Sequence, residues 1–375
     1  MNTLFFPNNQ QDKYERSVQF FSTTSNASRT PSPQPLSRKG RGAFRVVLRR
    51  LKVNRTAEGQ YNLFSSSAAP GLTLPAKAVE LDFYYGWARL MAINAEEVPG
   101  LVERMPAFPQ GVTKVLDLAS RPECAPKALV QVIEHDPVMT MKVLKLVNSA
   151  YFGLSRPINS IKHGVVYVGI NTIKNLALSI AAIGMLPKSN KAGFDMNQFL
   201  THSLGVASVA KLLATHLGVA DKDATDFFVA GLLHDFGKVV LAQFKPEEFR
   251  LCLDHAAEQE RSLHEVERET QGISHDEIGG RLAEAWKLPP ALAHAIHHHH
   301  HPELGAEEAN DGMCEAVFAA NQIVRSLGFG DAGNHLIADF PPSVSERFGS
   351  DLSGLMSALG DLSGEMEKAR LFTQL

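Results

Sequence analysis

Apolar residues recur at intervals of three and four through almost the whole chain from about residue 77 onward. This is the period of an α-helix with one buried face, whereas a half-buried strand would alternate at every second residue. The segments "DKDATDFFVAGLLHDFGKVVLAQF" (221–244) and "SHDEIGGRLAEAWKLP" (274–289) show the helical period clearly. We find no sustained strand alternation, so the pattern predicts an all-α body over 77–375.

The beginning of the chain has a different composition. Residues 22–37 contain eleven Ser, Thr or Pro in sixteen positions, and residues 1–60 carry 11 Lys/Arg against 3 Asp/Glu. Such a sequence buries too little apolar surface to offset its conformational entropy. We therefore predict a disordered or linker-like basic extension over 1–76, within which 44–53 could form a short strand or a helix.

The helical part is predicted to form one domain over 97–330, with an N-terminal helical half (97–190) and a histidine-bearing half (191–330). A C-terminal helical segment (331–375) follows and closes with one amphipathic helix over 352–372. Asp195 and Ser274 stand three residues before Gln198 and Glu277, a spacing that predicts capping boxes at helix starts. Glycines at 153, 218 and 237 are predicted to end or break helices.

Five consecutive histidines, 297–301, lie within a predicted helix over 290–301. Because side chains advance by about 100° per residue, they cannot all face the same way. With Ile296 at the centre of the buried face, the register divides the histidines of this helix: His299 and His300 face the core, His297 lies at the edge, and His294, His298 and His301 face solvent.

Three other apolar stripes each carry a single polar residue: His202, His275 and Asn321. Burying an unpaired polar group costs about 1–3 kcal/mol. These residues are therefore predicted to converge and to satisfy one another, directly or through an ion or a water. The adjacent His234 and Asp235, at the end of an apolar helical segment, supply an imidazole and a carboxylate that suit a divalent ion.

With this His-Asp pair, the histidines around it and four further segments, the chain resembles the HD superfamily of helical metal-dependent phosphohydrolases. More narrowly, it is similar to the HDOD group, the HD-related output domain. The segments are "MPAFPQGVTKVLDLAS" (105–120), "VIEHDPVMTMKVLKLVNSAYFG" (132–153), "INSIKHGVVYVG" (158–169) and "AEAWKLPPALAHAI" (283–296).

The resemblance implies an all-α fold and a regulatory role in bacterial signal transduction. By motif position it implies a metal set of His202, His234, Asp235, His275, His299 and His300, with Asn321 at the last ligand position. Lys238 matches the lysine that faces a phosphate in active relatives, and is therefore the candidate catalytic residue. A second His-Asp pair, His135 and Asp136, precedes Pro137 and is given no metal role.

Two departures from the catalytic pattern argue against an enzyme. Asn321 stands where catalytic relatives have an aspartate, so two divalent ions would bring four positive charges against the single carboxylate of Asp235. The residues after the histidine run, "HHHPELGAEEAND", lack the Gly-Tyr-Pro segment of relatives that hydrolyse cyclic di-GMP. One transition-metal ion (Fe, Mn or Zn) on neutral imidazoles remains compatible with the site.

The sequence is therefore compatible with three functions. The favoured one is a non-catalytic signalling module that contacts a protein partner, and a small-molecule ligand is left open. The alternative is a metal-dependent phosphohydrolase acting on a phosphoester or a nucleotide. Nucleic-acid binding through the basic extension is least favoured, because no aromatic stacking platform accompanies the charges. Widely spaced cysteines, no bilayer-length apolar run and no secretory signal predict a cytoplasmic protein without a membrane span.

Overall fold

The structure is a computed structural model that describes residues 3–4, 51–55, 61–65, 93, 95–119, 126–305 and 312–374. The chain divides into two units, Met1–Ala92 and Ile93–Leu375. Most of the described residues belong to the second unit.

The described residues of the first unit form a small antiparallel sheet. Its strands are β1 (Thr3–Leu4), β2 (Leu51–Arg55) and β3 (Tyr61–Ser65), in the order β1-β3-β2. In the longer pair, Leu51 lies opposite Ser65 and Arg55 opposite Tyr61. The segment 44–53 was predicted as either a strand or a helix, and its last three residues, 51–53, form a strand. The rest of the predicted extension over 1–76 lies outside the described residues.

In the second unit, every regular element of the described residues is a helix, which confirms the all-α prediction for this part. Short 3-10 turns lie at Ala95–Glu97, Pro302–Gly305 and Leu371–Gln374. The α-helices are α1 (Val98–Glu103), α2 (Gln110–Ala119), α3 (Pro126–Glu134), α4 (Pro137–Val147), α5 (Ile161–Val168), α6 (Ile170–Gly184), α7 (Met196–His216), α8 (Asp221–Leu233), α9 (Phe236–Phe244), α10 (Pro246–Glu258), α11 (Leu263–Gln271), α12 (His275–Ala285), α13 (Pro290–His298), α14 (Met313–Ser326), α15 (Pro342–Phe348), α16 (Leu352–Leu359) and α17 (Ser363–Arg370).

Helix starts follow the predicted capping only in part. The carboxylate of Asp195 accepts hydrogen bonds from the amides of Asn197 and Gln198 and so caps α7. Ser274 is the N-cap of α12, but its hydroxyl donates to the carboxylate of Glu277 instead of accepting from a backbone amide. The second capping box is therefore not formed, and the amide of His275 donates instead to the carboxylate of Glu267.

The predicted single C-terminal helix over 352–372 is wrong. The structure divides it into α16 and α17, because Gly360 has a φ of 71°, a conformation that breaks the helical path. Helix α17 packs along α7, and Phe372 beyond it packs against Tyr151 and Phe228. The C-terminal segment is thus part of the core and closes over the contact between the two halves.

The two halves of the helical body meet where α6 packs on α8. The amide of Asn175 donates to the side chains of Thr225 and Asp226 at 2.9 and 2.7 Å. In the histidine-bearing half, α7 lies between α8, α14 and α17, and α12 packs between α9 and α13. This arrangement points the ends of α8 and α13 and the start of α12 at one interior region.

Among the described residues, one continuous stretch, Asp221–Phe244, is long and apolar enough to cross a membrane. However, 89% of its most apolar window is buried inside the fold, as in the core helix of a soluble protein. The helices Ile161–Val168 and Ile170–Gly184 pass the same test only when counted together, and they are bent by 118°.

Candidate metal centre

His234 and Asp235 lie at the break between α8 and α9, in the middle of the most apolar part of the chain. Gly237 is the second residue of α9 and so does not end a helix there. A Cβ at this position would overlap the backbone carbonyl of His275. The glycine therefore permits the close approach of α9 and α12 that brings Asp235 and His275 together.

The remaining candidate ligands come from four other elements. His202 lies in α7, His275 is the first residue of α12, His299 caps the end of α13, and Asn321 lies in α14. All are at most 2% exposed, as are His234 and Asp235. His300 is the only partly exposed member of the predicted metal set.

The Asp235 carboxylate is the centre of the cluster. Its Oδ1 lies 3.1 Å from Nε2 of His275 and 3.4 Å from Nε2 of His299. Nε2 of His300 lies 3.0 Å from Nε2 of His275, and these four residues present their ligand atoms within 4.8 Å of one another. Donors bound to one ion at about 2.1 Å stand roughly 3.0–3.4 Å apart, so the observed spacing fits a metal.

The second oxygen of the same carboxylate, Oδ2, lies beside a second cluster of possible ligands. Its Oδ2 lies 3.3 Å from Nε2 of His234, and the ligand atoms of His202, His234 and Asp235 also lie within 4.8 Å of one another. The structure therefore brings together the six His and Asp residues of the predicted set. Asn321 lies in α14, which packs against α7, α8 and α13.

Backbone and carboxylate acceptors orient three of the rings. Nδ1 of His234 lies 2.7 Å from the carbonyl of Gly231, and Nδ1 of His299 lies 2.8 Å from that of Ile296. A carbonyl can only accept, so the Nδ1 of each ring carries a proton and its Nε2 points to the interior. Nδ1 of His275 bonds the Glu267 carboxylate at 2.6 Å, the carboxylate–histidine arrangement found behind metal ligands.

The ionisation of the rings follows from burial and from the two carboxylates. Burial lowers the pKa of His299 to about 4 and that of His202 well below its usual range, so both are neutral at pH 7. Burial also opposes protonation of His275, but Glu267 and Asp235 raise its pKa to about 9. Metal binding at His275 must therefore displace a proton.

Lys238 is completely buried and lies directly beside the carboxylate. Its Nζ donates to Oδ2 of Asp235 at 2.7 Å and to the carbonyl of Ala332 at 2.9 Å. Burial would raise the pKa of Asp235, but His234 and Lys238 hold it well below its usual range. The ammonium group thus already compensates the charge of the carboxylate that would hold an ion.

Several buried polar atoms have no hydrogen-bond partner within the described part of the chain. They include Nε2 of His202, His234 and His299 and both amide atoms of Asn321. Buried polar atoms are normally satisfied, so this concentration needs an explanation. An ion on the lone pairs of the imidazoles and the carboxylate supplies one, and the set of neutral nitrogens with one oxygen suits a transition metal.

The other histidines of the run are half-buried rather than fully solvated. His297 and His298 stack on each other at 4.4 Å between ring centroids, and His294 lies 4.5 Å from His298. They lie outside the two ligand clusters. The His135–Asp136 pair is also separate, since Asp136 caps α4 by accepting from the amides of Val138 and Met139.

Three residues around the cluster were not predicted from the sequence. Glu267 is fully buried, although the stripe Leu263, Val266 and Thr270 on α11 places it on the inward face and could have identified it. His264 stacks on His300 at 4.0 Å. Arg325 lies one helical turn after Asn321.

The guanidinium of Arg325 carries unused donors. One nitrogen donates to the carbonyl of Leu336 at 3.1 Å, while its Nε and Nη2 are buried without a partner among the described residues. Its charge is also among those that lower the pKa of His202, after the main contribution of burial. A cationic donor group therefore lies near the cluster.

Comparison with known proteins gives consistent results. A family model described as HDOD domain matches residues 105–302. A candidate phosphohydrolase from Shewanella amazonensis SB2B has a TM-score of 0.57 and 26% identity, covering 73% of this chain and 97% of that one. An HDOD domain protein of unknown function from Geobacter sulfurreducens has a TM-score of 0.60 and 25% identity, with coverages of 78% and 98%.

Among curated proteins, an uncharacterised protein from Treponema pallidum (strain Nichols) is 26% identical over 234 residues. The match covers 62% of this chain and 44% of that protein. The chain therefore spans less than half the length of the curated relatives it matches.

Proposed function

The chain belongs to the HDOD domain family, whose model matches residues 105–302, and we propose that it is a cytoplasmic bacterial signal-transduction module. In this proposal it holds one divalent transition-metal ion, turns over no substrate and acts through contact with a protein partner. The ion is Fe, Mn or Zn, held by neutral imidazoles around Asp235.

The charge balance of the buried cluster is the observation that carries this proposal. Asp235 is the only carboxylate in either ligand cluster of the described residues, and the ammonium of Lys238 lies 2.7 Å from it. Asn321 adds no negative charge. Two divalent ions would bring four positive charges, in addition to Lys238, against the two buried carboxylates of Asp235 and of Glu267 behind His275, which is costly in a buried site. The charge of a single divalent ion, bound by His275, His299 and Asp235, can be compensated by these groups.

The burial of the cluster favours the same conclusion. A phosphoester substrate must reach the ion, yet His234, Asp235, Lys238, His275 and His299 are all fully buried, and His300 alone among the ligands is partly exposed. Bound metal in such a site would supply stability, and its chemistry as a Lewis acid would need the fold to open. Glu267 would hold the ring of His275 in position, and Lys238 would balance Asp235 whenever the ion is absent.

The test combines metal analysis of the purified full chain with phosphodiesterase and nucleotidase substrate panels. We expect about one equivalent of metal and no turnover, with the metal lost in His234→Ala and Asp235→Ala. His135→Ala is the matched control, because it alters a His-Asp pair outside the cluster. Turnover that disappears in both cluster variants but persists in the control would overturn the module proposal.

The alternative function, a metal-dependent phosphohydrolase, is favoured by one specific observation. Arg325 has two buried nitrogens without partners among the described residues, and the amide nitrogen of Asn321 is unpartnered there as well. Such donors suit the oxygens of a phosphoryl group next to a metal. In this alternative Lys238 would leave Asp235 to stabilise the developing charge. Arg325→Gln would then abolish turnover while leaving the metal content unchanged.

A further inference from the structure

The middle of the chain has an uneven distribution of charge that the metal centre does not explain. From Pro137 to Phe194 there is no Asp or Glu, although the whole chain contains 40. The same stretch contains seven Lys or Arg: Lys142, Lys145, Arg156, Lys162, Lys174, Lys188 and Lys191. This part of the chain therefore carries a charge of +7, while the remaining residues, with 30 basic and 40 acidic side chains, carry −10.

Large apolar side chains are exposed on two helices of this basic stretch. Val138 and Met141 on α4 are 58% and 66% exposed, and Val166 and Tyr167 on α5 are 76% and 68% exposed. They make up half of the eight large apolar residues that are exposed among the described residues. Scattered exposed apolar residues need no explanation, but a concentration on neighbouring helices marks an interaction site.

The two helices are held together. Helix α4 packs against α5. The side chain of Asn148, directly after α4, donates to the carbonyl of Ile158 at 2.8 Å and accepts from its amide at 2.6 Å. This pair of hydrogen bonds closes the connection just before α5 begins. The exposed side chains are thus presented by two packed helices whose connection is held by hydrogen bonds.

Basic residues lie one helical turn from each apolar pair. On α4, Lys145 is four residues after Met141, and on α5, Lys162 is four residues before Val166. Residues four apart share one face of a helix, and both lysines are exposed. Each helix therefore presents apolar side chains beside positive charge, with no carboxylate on either helix.

We propose that this α4–α5 face, formed by Val138, Met141, Lys145, Lys162, Val166 and Tyr167, binds an acidic amphipathic segment of a partner protein. Apolar anchors of the partner would cover the four exposed side chains, and its carboxylates would meet the lysines. Neither α4 nor α5 contains a carboxylate, and Asp136 at the start of α4 accepts from the amides of Val138 and Met139, so this face repels an acidic partner less than residues 195–375, which carry 13 basic and 28 acidic side chains. The inference rests on the proposed module function and names its protein partner by chemistry.

A nucleic acid or a membrane fits these observations less well. A single-stranded nucleic acid is held by stacking on several aromatic rings, and Tyr167 is the only aromatic side chain on this face. Duplex binding relies mainly on contacts with phosphates, which the four exposed apolar side chains cannot make. Membrane-surface helices insert a long apolar face, whereas here each helix exposes only two apolar residues.

The test measures binding of the full chain to a synthetic helical peptide with leucines on one face and glutamates on the other. A second peptide has lysines in place of the glutamates. Vesicles of phosphatidylcholine with phosphatidylserine, and a short DNA duplex, are the other probes. The test variant replaces Val138, Met141, Val166 and Tyr167 with Ser. The control variant makes the same change at the exposed Leu304, Leu336 and Ile337.

We expect the glutamate peptide to bind and the lysine peptide not to bind. The four-serine variant should weaken binding about tenfold or more, with helix content and metal content unchanged, while the control variant binds like the original chain. The double variant Lys145→Glu with Lys162→Glu should bind the glutamate peptide more weakly and should bind the lysine peptide.

Four results would each overturn the proposal. These are no binding of the glutamate peptide, equal binding of both peptides, equal loss in the control variant, and tighter binding to vesicles or DNA that disappears with the same four substitutions. None of them depends on the metal centre. If the surface fails this test, the metal and turnover measurements still decide the module function separately.

Discussion

Replacing Lys238 with Met is the sharpest test of the charge balance in the buried cluster. Methionine keeps the length and flexibility of the lysine stem but removes the ammonium group. The change deletes the 2.7 Å bond to Asp235 and the 2.9 Å bond to the carbonyl of Ala332. The nearest remaining positive charge to Asp235 is then the His275 ring, 3.1 Å away, which is also paired with Glu267.

The expected loss is large because both partners are completely buried. Removing one partner of a buried ion pair costs about 3–5 kcal/mol, since the remaining charge is uncompensated. For a domain of this size, each kcal/mol lowers the midpoint of thermal unfolding by about 2–4 °C. Without metal, Lys238→Met should therefore unfold about 10 °C lower than the original chain.

A bound ion should reverse much of this loss, because it supplies positive charge next to the same carboxylate. Thermal unfolding is measured with a chelator and with excess Mn²⁺ or Zn²⁺. The metal should stabilise Lys238→Met more than the original chain. Asp235→Asn combined with Lys238→Met should be less destabilised than the sum of the single changes, since the two residues interact directly.

Lys188→Met, at an exposed lysine, is the matched control and should change the midpoint little. The charge balance is refuted if Lys238→Met unfolds within a degree or two of this control in chelator. It is also refuted if metal stabilises the variant no more than the original chain, because then no ion lies beside Asp235.

Three further predictions concern the surroundings of the cluster. Glu267→Gln should weaken metal affinity about 10–100-fold in calorimetric titration, since it removes the carboxylate behind a ligand, while Glu258→Gln on the exposed end of α10 should not. Metal affinity should rise with pH by about tenfold per unit until about pH 9 and then level, because His275 must lose its proton first; a flat profile below pH 8 would contradict the raised pKa. Gly237→Ala should prevent stable folding, as judged by circular dichroism, because its Cβ would overlap the carbonyl of His275, whereas Gly111→Ala meets no atom within 4 Å and should be tolerated.

The helices and the orientation of the histidines follow from local sequence. The helical period extends through the described residues of the second unit, and a rotation of about 100° per residue places His299 inward and His298 away from the ligand cluster. The residue types at His202, His234 and His275 indicated a convergent site, because buried polar groups need partners. The helical period and the direction of each side chain are properties of a single helix, so they can be predicted from one sequence.

Breaks in long patterns were less accessible to sequence reasoning. The apolar period continues across Gly360, and only the observed φ of 71° divides the C-terminal segment into two helices. Gly237 was predicted to end or break a helix, but it lies inside α9, where it allows close packing against α12. The sequence shows that a glycine is present in each case, but only the surrounding backbone shows whether it breaks a helix, as at Gly360, or allows close packing, as at Gly237.

The sequence by itself thus determined which residues are helical and which faces are buried, because that information repeats every three or four residues. The tertiary structure alone decided which residues meet: Lys238 reaches the carbonyl of Ala332 across 94 residues, and His275 faces His300 across 25. It also decided that the positive charge beside Asp235 comes from a lysine of the chain. Such contacts depend on how helices pack, and packing joins positions whose separation in sequence has no period.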